Sequence, residues 1–133
     1  MCGLFGFSDP KHTLTQKQIR RLTTALATAS EQRGTDASGI AYVQGLSLIH
    51  MCIRDSVQGQ SLRIYKRPRP AHEMTWLVPF HTTAVMGHTR MTTQGDGTFN
   101  PNNHPFPGVS GQTRFALAHN GVLHLSLIHI SEP

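Results

Sequence analysis

Met1-Cys2-Gly3-Leu4-Phe5-Gly6-Phe7 opens the chain, alternating small and apolar residues until Ser8-Asp9-Pro10 closes the run. This pattern predicts a short buried strand over 2–7, ending in a turn and carrying Cys2 at its start. Removal of Met1, which a side chain as small as cysteine favours, would place a thiol and a free α-amine on one residue. An α-amine ordinarily titrates at about 7.7–8.0 and a cysteine thiol at about 8.5, so the amine can take the thiol proton near neutral pH. Such a residue is a nucleophile with its own base. The same stretch also reads as an ordinary strand beginning with an inert cysteine, and the choice falls to the rest of the chain.

Working outward, Thr15 with Gln18 forms a capping-box start, and Ile19, Leu22, Leu26 and Ala29 recur at helical spacing up to Arg33-Gly34. One amphipathic helix over 15–32 is therefore expected to pack on a sheet. Residues 39–43 and 62–66 are β-like, 71–77 suggest a short helix, and 82–88 form another strand. A loop rich in Gly, Asn and Pro follows over 93–111, and 114–119 form a last strand that meets Asn120-Gly121. Strands dominate, with helices on an outer face: an α+β arrangement.

With 133 residues the chain has room for one domain. No apolar run approaches the roughly 18 residues of a membrane span, and polar residues follow the first apolar stretch at once, so neither an anchor nor a signal peptide is expected. The expectation is a cytoplasmic protein without membrane association. Cys2 and Cys52 have neither metal-ligand spacing nor the pattern of a disulfide framework, and the acidic residues show no metal spacing, so neither metal nor cofactor is implied. A formal net charge of +5 raises the question of nucleic acid. The basic residues are scattered apart from Lys66-Arg67-Pro68-Arg69-Pro70, which lacks interleaved aromatics and reads as a solvated loop.

Leu-Ser-Leu-Ile-His occurs at 46–50 and again at 125–129, and Val-Gln-Gly at 43–45 and 57–59. Neither repeat has the period of a solenoid or propeller. Residues 46–56, LSLIHMCIRDS, can be encoded by a DNA string equal to its own reverse complement plus one base. Bracketed by a short duplication, it looks like a transposon insertion and resembles the transposase end used in sequencing adapters. Residues 46–59 are therefore expected to be foreign, one Val-Gln-Gly being a duplicate, as is the tail 125–133. Cys52 would then have no function, and residues 42–45 would continue directly into 60–62 as a tight hairpin.

Four separated stretches decide between the readings of Cys2: Met1-Cys2-Gly3-Leu4-Phe5-Gly6, Arg33-Gly34-Thr35-Asp36-Ala37-Ser38-Gly39, Gly87-His88-Thr89-Arg90-Met91-Thr92-Thr93-Gln94-Gly95 and His119-Asn120-Gly121. Each is weak alone, but in this order and spacing the chain resembles the glutaminase domain of class II glutamine amidotransferases, which are N-terminal nucleophile hydrolases. The resemblance implies a sandwich of antiparallel sheets covered by helices. Here it runs from the start of the chain to about Val122, interrupted by the suspected insert, and the partial glutaminase domain over 1–124 is expected to stop before the second half of the fold.

The resemblance makes Cys2 the nucleophile and L-glutamine the substrate. Arg90, whose planar fork of donors suits a carboxylate, would take the substrate α-carboxylate, with Thr93 as a supporting hydroxyl. Arg33, a further substrate-binding candidate, belongs to a loop beside the nucleophile, where Asp36 either braces a turn or touches substrate. The Asn120 amide and the Gly121 N–H would form the oxyanion hole. His88 and His119 read as structural, and His104 as a loop residue. The released ammonia would pass to an acceptor synthase domain or subunit that this chain lacks.

Met91 and Gln94 fall where sugar-aminating members carry tryptophan and histidine, which leaves the acceptor open. The family's acidic residue for the substrate α-amine lies beyond Asn-Gly, and Glu132, in the suspected foreign tail, is not given that role. The chain as it stands is thus expected to be an inactive fragment of an enzyme. Two other readings are a Cys-nucleophile acylase of the same superfamily and a non-catalytic module using its basic residues on an acidic partner.

Overall fold

The computed structural model describes residues 2–45, 60–92 and 95–120. The expectations for 46–59, Cys52, Thr93, Gln94, Gly121 and the tail 125–133 lie outside these residues. Along the chain run β1 (Gly3–Ser8), α1 (Gln16–Ser30), β2 (Ala37–Gly45), β3 (Gln60–Arg67), β4 (Thr82–Arg90), β5 (Phe106–Ser110) and β6 (Thr113–Leu117). The first four strands form an antiparallel sheet in the order β1-β4-β2-β3, and β5 and β6 pair as a separate antiparallel hairpin. This is the expected α+β arrangement, with one α-helix among the described residues.

α1 starts where its cap dictates. The Thr15 hydroxyl accepts the Gln18 backbone N–H at 3.2 Å, and the Gln18 side chain accepts the Thr15 N–H at 2.9 Å, satisfying two otherwise orphaned donors. Ile19, Thr23 and Ala27, successive turns of one stripe, are buried. The helix ends at Ser30 and tightens into a 3-10 turn over Glu31–Arg33, which accounts for the longer span that periodicity suggested.

Strand register divides the sheet into two faces. Phe5, Phe7, Ile40, Tyr42, Tyr65 and Val85 share the face beneath α1, where they join Ile19, Ala27, Ala71, Trp76 and Val78 in one apolar core. Each large side chain fully buried there contributes on the order of 1.5–3 kcal/mol. Leu4, Gly39, Lys66, His88 and Arg90 share the opposite face, which the segment before β5 covers over Gly39, Lys66, His88 and Arg90, leaving Leu4 51% exposed.

Three sequence expectations need correction. The short helix expected over 71–77 is a single 3-10 turn, Ala71–Glu73, followed by extended chain in which Trp76 and Val78 are buried while Thr75 and Leu77 are exposed. That alternation is the period of an extended segment, and two core anchors outweigh helix propensity. The loop expected over 93–111 contains β5, whose Pro107 is tolerated because a two-stranded hairpin leaves every strand an edge. Finally, the basic run 66–70 is not simply a solvated loop. Lys66 and Arg67 lie in β3, and the Lys66 ammonium donates to the carbonyls of Asn103 at 2.6 Å and Pro105 at 3.0 Å. Its burial there pulls its pKa below that of a free lysine.

Candidate active site

Cys2 stands at the N-terminal edge of β1, half-buried, with β4 as its neighbour. The pairing of Gly3 with Thr89 carries the ladder to the sheet end and brings the Cys2 sulfur against the first residue beyond β4. The Met91 backbone N–H donates to Cys2 Sγ at 3.4 Å, and the thiol lies 3.5 Å from the Met91 carbonyl oxygen. Sequence placed Cys2 and Arg90 far apart in the chain; the antiparallel pair puts them at one end of adjacent strands.

That strand end is gripped from several sides. Asp36 donates its backbone N–H to the Arg90 carbonyl at 3.0 Å and accepts the Thr92 N–H on its carboxylate at 2.6 Å. Gly34 packs directly on the Arg90–Met91 backbone, and a Cβ there would collide with Arg90 and lie 2.6 Å from the Met91 nitrogen. Beneath them the Thr89 hydroxyl donates to the Ser30 carbonyl at 2.8 Å, so the end of α1 is tied to the residue preceding Arg90. The motif at 33–36 thus reaches the site through Gly34 and Asp36; Arg33 itself is exposed at the end of its 3-10 turn.

Arg90 is 8% exposed, and its guanidinium donates to the Asn103 side-chain oxygen at 2.8 Å and the Asn102 carbonyl at 3.1 Å. Asn103 is wholly buried and is held in turn by its own amide, which donates to the Gly97 carbonyl at 3.0 Å. Sequence reading missed both asparagines and took them as loop. The available signal was the polar run Asn100-Pro101-Asn102-Asn103, whose side chains are suited to tying a tight turn to its neighbours.

Asn120 is exposed and lies just beyond β6; its partner in the expected oxyanion hole, Gly121, lies outside the described residues. The preceding residue anchors it. His88 on β4 donates from Nε2 to the His119 carbonyl at 3.2 Å, and the His119 N–H donates to His104 Nδ1 at 3.0 Å. The His88 and His104 rings stack, their centroids 4.1 Å apart at 11°. Burial pushes both imidazoles down to about 4, and neighbouring positive charge, including that of Arg90, adds to the effect. Both rings are therefore neutral near pH 7. Among the described residues there is no group of three or more His, Cys, Asp or Glu side chains that could hold a metal ion, and no helix long and apolar enough to cross a membrane.

The antiparallel sheet thus carries the Cys2 sulfur at one strand end and an anchored arginine at the end of the next strand. Residues 1–130 match the model of the family described as glutamine amidotransferases class-II, and the chain belongs to that family. Among similar proteins are the glutamine–fructose-6-phosphate aminotransferases of Mycobacterium tuberculosis, 31% identical over 125 residues, and Chlamydia trachomatis, 30% identical over 126 residues. The enzyme of the same name from Encephalitozoon cuniculi is 25% identical over 123 residues. In each case the match covers 92% of this chain and 17% of the relative, so the chain spans about one-sixth of the length of these curated relatives. No solved structure matches the chain.

Proposed function

We propose that the protein carrying this chain hydrolyses the side-chain amide of L-glutamine, with Cys2 as nucleophile once Met1 has been removed. The α-amine of Cys2 takes the thiol proton, and the thiolate attacks the amide carbon. The resulting oxyanion is held by the Asn120 amide and the Gly121 N–H. Collapse breaks the C–N bond, the α-ammonium returns its proton to the departing nitrogen, and ammonia leaves a thioester on Cys2. Water then cleaves the thioester to glutamate and regenerates the thiol.

The observation that carries this reading is the contact of Cys2 Sγ with the Met91 backbone, next to an Arg90 already fixed by Asn103. A buried, oriented guanidinium suits a carboxylate, and its placement one residue from the sulfur's contact suits a substrate held by its amino-acid end. Thr93 is assigned a supporting hydroxyl beside Arg90, and Arg33 a substrate contact from the loop beside the nucleophile.

Ammonia would pass to an acceptor site on another domain or subunit. The names of the similar proteins favour a sugar phosphate as acceptor, although Met91 and Gln94 depart from the tryptophan and histidine of sugar-aminating members. Residues 46–59 and 125–133 are proposed to be foreign to the functional domain.

The test is release of labelled glutamate from labelled glutamine by the full-length protein, with and without Cys2→Ala, together with the mass of its N-terminal peptide. Activity lost in Cys2→Ala and a peptide beginning at Cys2 are the expected results. Retained Met1 in an active protein overturns the reading.

A further inference from the structure

The mechanism above uses neither His88 nor His104, yet both imidazoles converge on one residue. β6 makes its last ladder pair at Leu117 with Phe106, so the main chain of His119 lies beyond the hydrogen bonds of its hairpin. Two side chains take over. His88 Nε2 donates to the His119 carbonyl, and His104 Nδ1 accepts the His119 N–H. Both polar groups of one peptide unit's flanking residue are thereby held by side chains from segments far away in sequence.

A neutral imidazole suits this task because it offers one donor and one acceptor on a rigid plane. Accepting at Nδ1 places the proton of His104 on Nε2, and donating at Nε2 does the same for His88. The two rings, stacked face to face, brace each other. His88 is 1% exposed on the central strand β4, and the backbone of His104 sits where Gly39 has no Cβ. Lys66 clamps the carbonyls on either side of His104, those of Asn103 and Pro105. The bracket is thus built into the sheet, while the residue it leads to, Asn120, is exposed.

We propose that His88 and His104 are positioning residues that fix the main chain of His119 and thereby aim the Asn120 amide at the reacting carbonyl. This rests on the reading of Asn120 as an oxyanion donor. The role is distinct from binding glutamine, which falls to Arg90, so its loss should appear in kcat and not in KM.

The experiment measures glutaminase kinetics of the full-length protein with His88→Phe, His88→Gln, His104→Leu, His104→Asn and Asn120→Ala. Gln keeps a donor at the Nε2 position of His88, and Asn keeps an acceptor at the Nδ1 position of His104. His88→Phe and His104→Leu should lower kcat by about 10- to 100-fold, less than or equal to the loss in Asn120→Ala, with KM for glutamine changed by no more than about 3-fold. The Gln and Asn variants should recover most of the loss, and alkylation of Cys2 by iodoacetamide should be unaffected throughout. Adding His104→Leu to Asn120→Ala should cost little more, since both act through one amide.

If Asn120→Ala loses activity while His88→Phe and His104→Leu keep wild-type kcat, the positioning role is overturned and the oxyanion reading stands. If Asn120→Ala itself keeps wild-type kcat, the oxyanion reading fails and takes this proposal with it. Should His88→Phe or His104→Leu fail to fold, the Gln and Asn variants still decide. Folded Gln and Asn variants with kcat reduced as far as in Asn120→Ala overturn the role, because a retained hydrogen bond would then not support activity.

Discussion

Arg90 donates to the side-chain oxygen of Asn103 at 2.8 Å, a buried bond that joins the end of the central strand to the loop ahead of β5. An arginine at a surface would choose among many rotamers. This one is held at Asn103 and at the carbonyl of Asn102, so its guanidinium is oriented before any substrate arrives.

Replacing Asn103 by Leu therefore removes the acceptor while approximately keeping the volume. A hydrogen bond to a charged group contributes about 1.5–3 kcal/mol, so KM for glutamine should rise by roughly 10- to 100-fold, with the larger part of the change in KM and not kcat. Arg90→Lys should raise KM at least as far, because an ammonium cannot reproduce the planar fork. Steady-state kinetics of the full-length protein check both, and an Asn103→Leu enzyme with unchanged KM would remove Asn103 from the site.

Gly34 lies against backbone, which cannot rotate away as a side chain can. The methyl group of Gly34→Ala would collide with the Arg90 backbone and crowd the Met91 nitrogen that donates to Cys2 Sγ. Its φ of −177° is extended backbone open to any residue, so the cost comes from crowding and not from conformation. The expected result is a destabilisation of about 1–3 kcal/mol in thermal or denaturant unfolding, of the size typical of an overpacked site. A drop in kcat should accompany it, because both the sulfur and Arg90 are displaced. Wild-type stability and activity in Gly34→Ala would show that the strand end yields freely.

Much of this site was legible because its signals are local in the sequence. The alternation around Cys2 and the Thr15–Gln18 box named β1 and the start of α1, and the Gly-His-Thr-Arg run placed Arg90 at a strand end. What stayed hidden depends on contacts across the sheet. Nothing near Asn103 indicates that its amide oxygen meets a guanidinium from β4, and nothing near Lys66 indicates that its ammonium ends on the carbonyls of Asn103 and Pro105. The segment 74–78 misled for the opposite reason. Its helix-compatible residues are overridden by two anchors, Trp76 and Val78, which an extended chain alone delivers to the same core.

The β2–β3 ladder bears on residues 46–59. Pairing continues unbroken to Gln44 with Ser61 and Gly45 with Gln60 on either side of that segment. Joining Gly45 directly to Gln60 would leave those two as the loop of a hairpin closed by Gln44 and Ser61. A two-residue loop with glycine first is a favoured hairpin connection. Deleting 46–59 from the full-length protein should therefore preserve or raise its melting temperature and leave alkylation of Cys2 unchanged. Unfolding or aggregation of the deletion variant would show that the segment is needed by the sheet.

The stacked imidazoles also predict how stability changes with acid. His88 is pushed down to about 4 by burial, only partly offset by its bond to the His119 carbonyl, and further by its electrostatic interactions with Arg90 and His119. Burial likewise takes His104 to about 4, with His88, Arg90, His119 and Lys66 all opposing its protonation. An unfolded histidine titrates near 6.5, so between about 6.5 and 4 the unfolded chain binds protons that the folded chain refuses. Stability from this pair is thus complete above pH 6.5 and is lost as pH falls through 4. Protonation also gives His104 Nδ1 a hydrogen that faces the His119 N–H, turning an acceptor into a clash. The melting temperature of the full-length protein should fall between pH 7.5 and 4.5, and the His88→Gln, His104→Asn double variant should show a shallower slope, having nothing to titrate at either position. An equal slope in both proteins would place the acid sensitivity elsewhere.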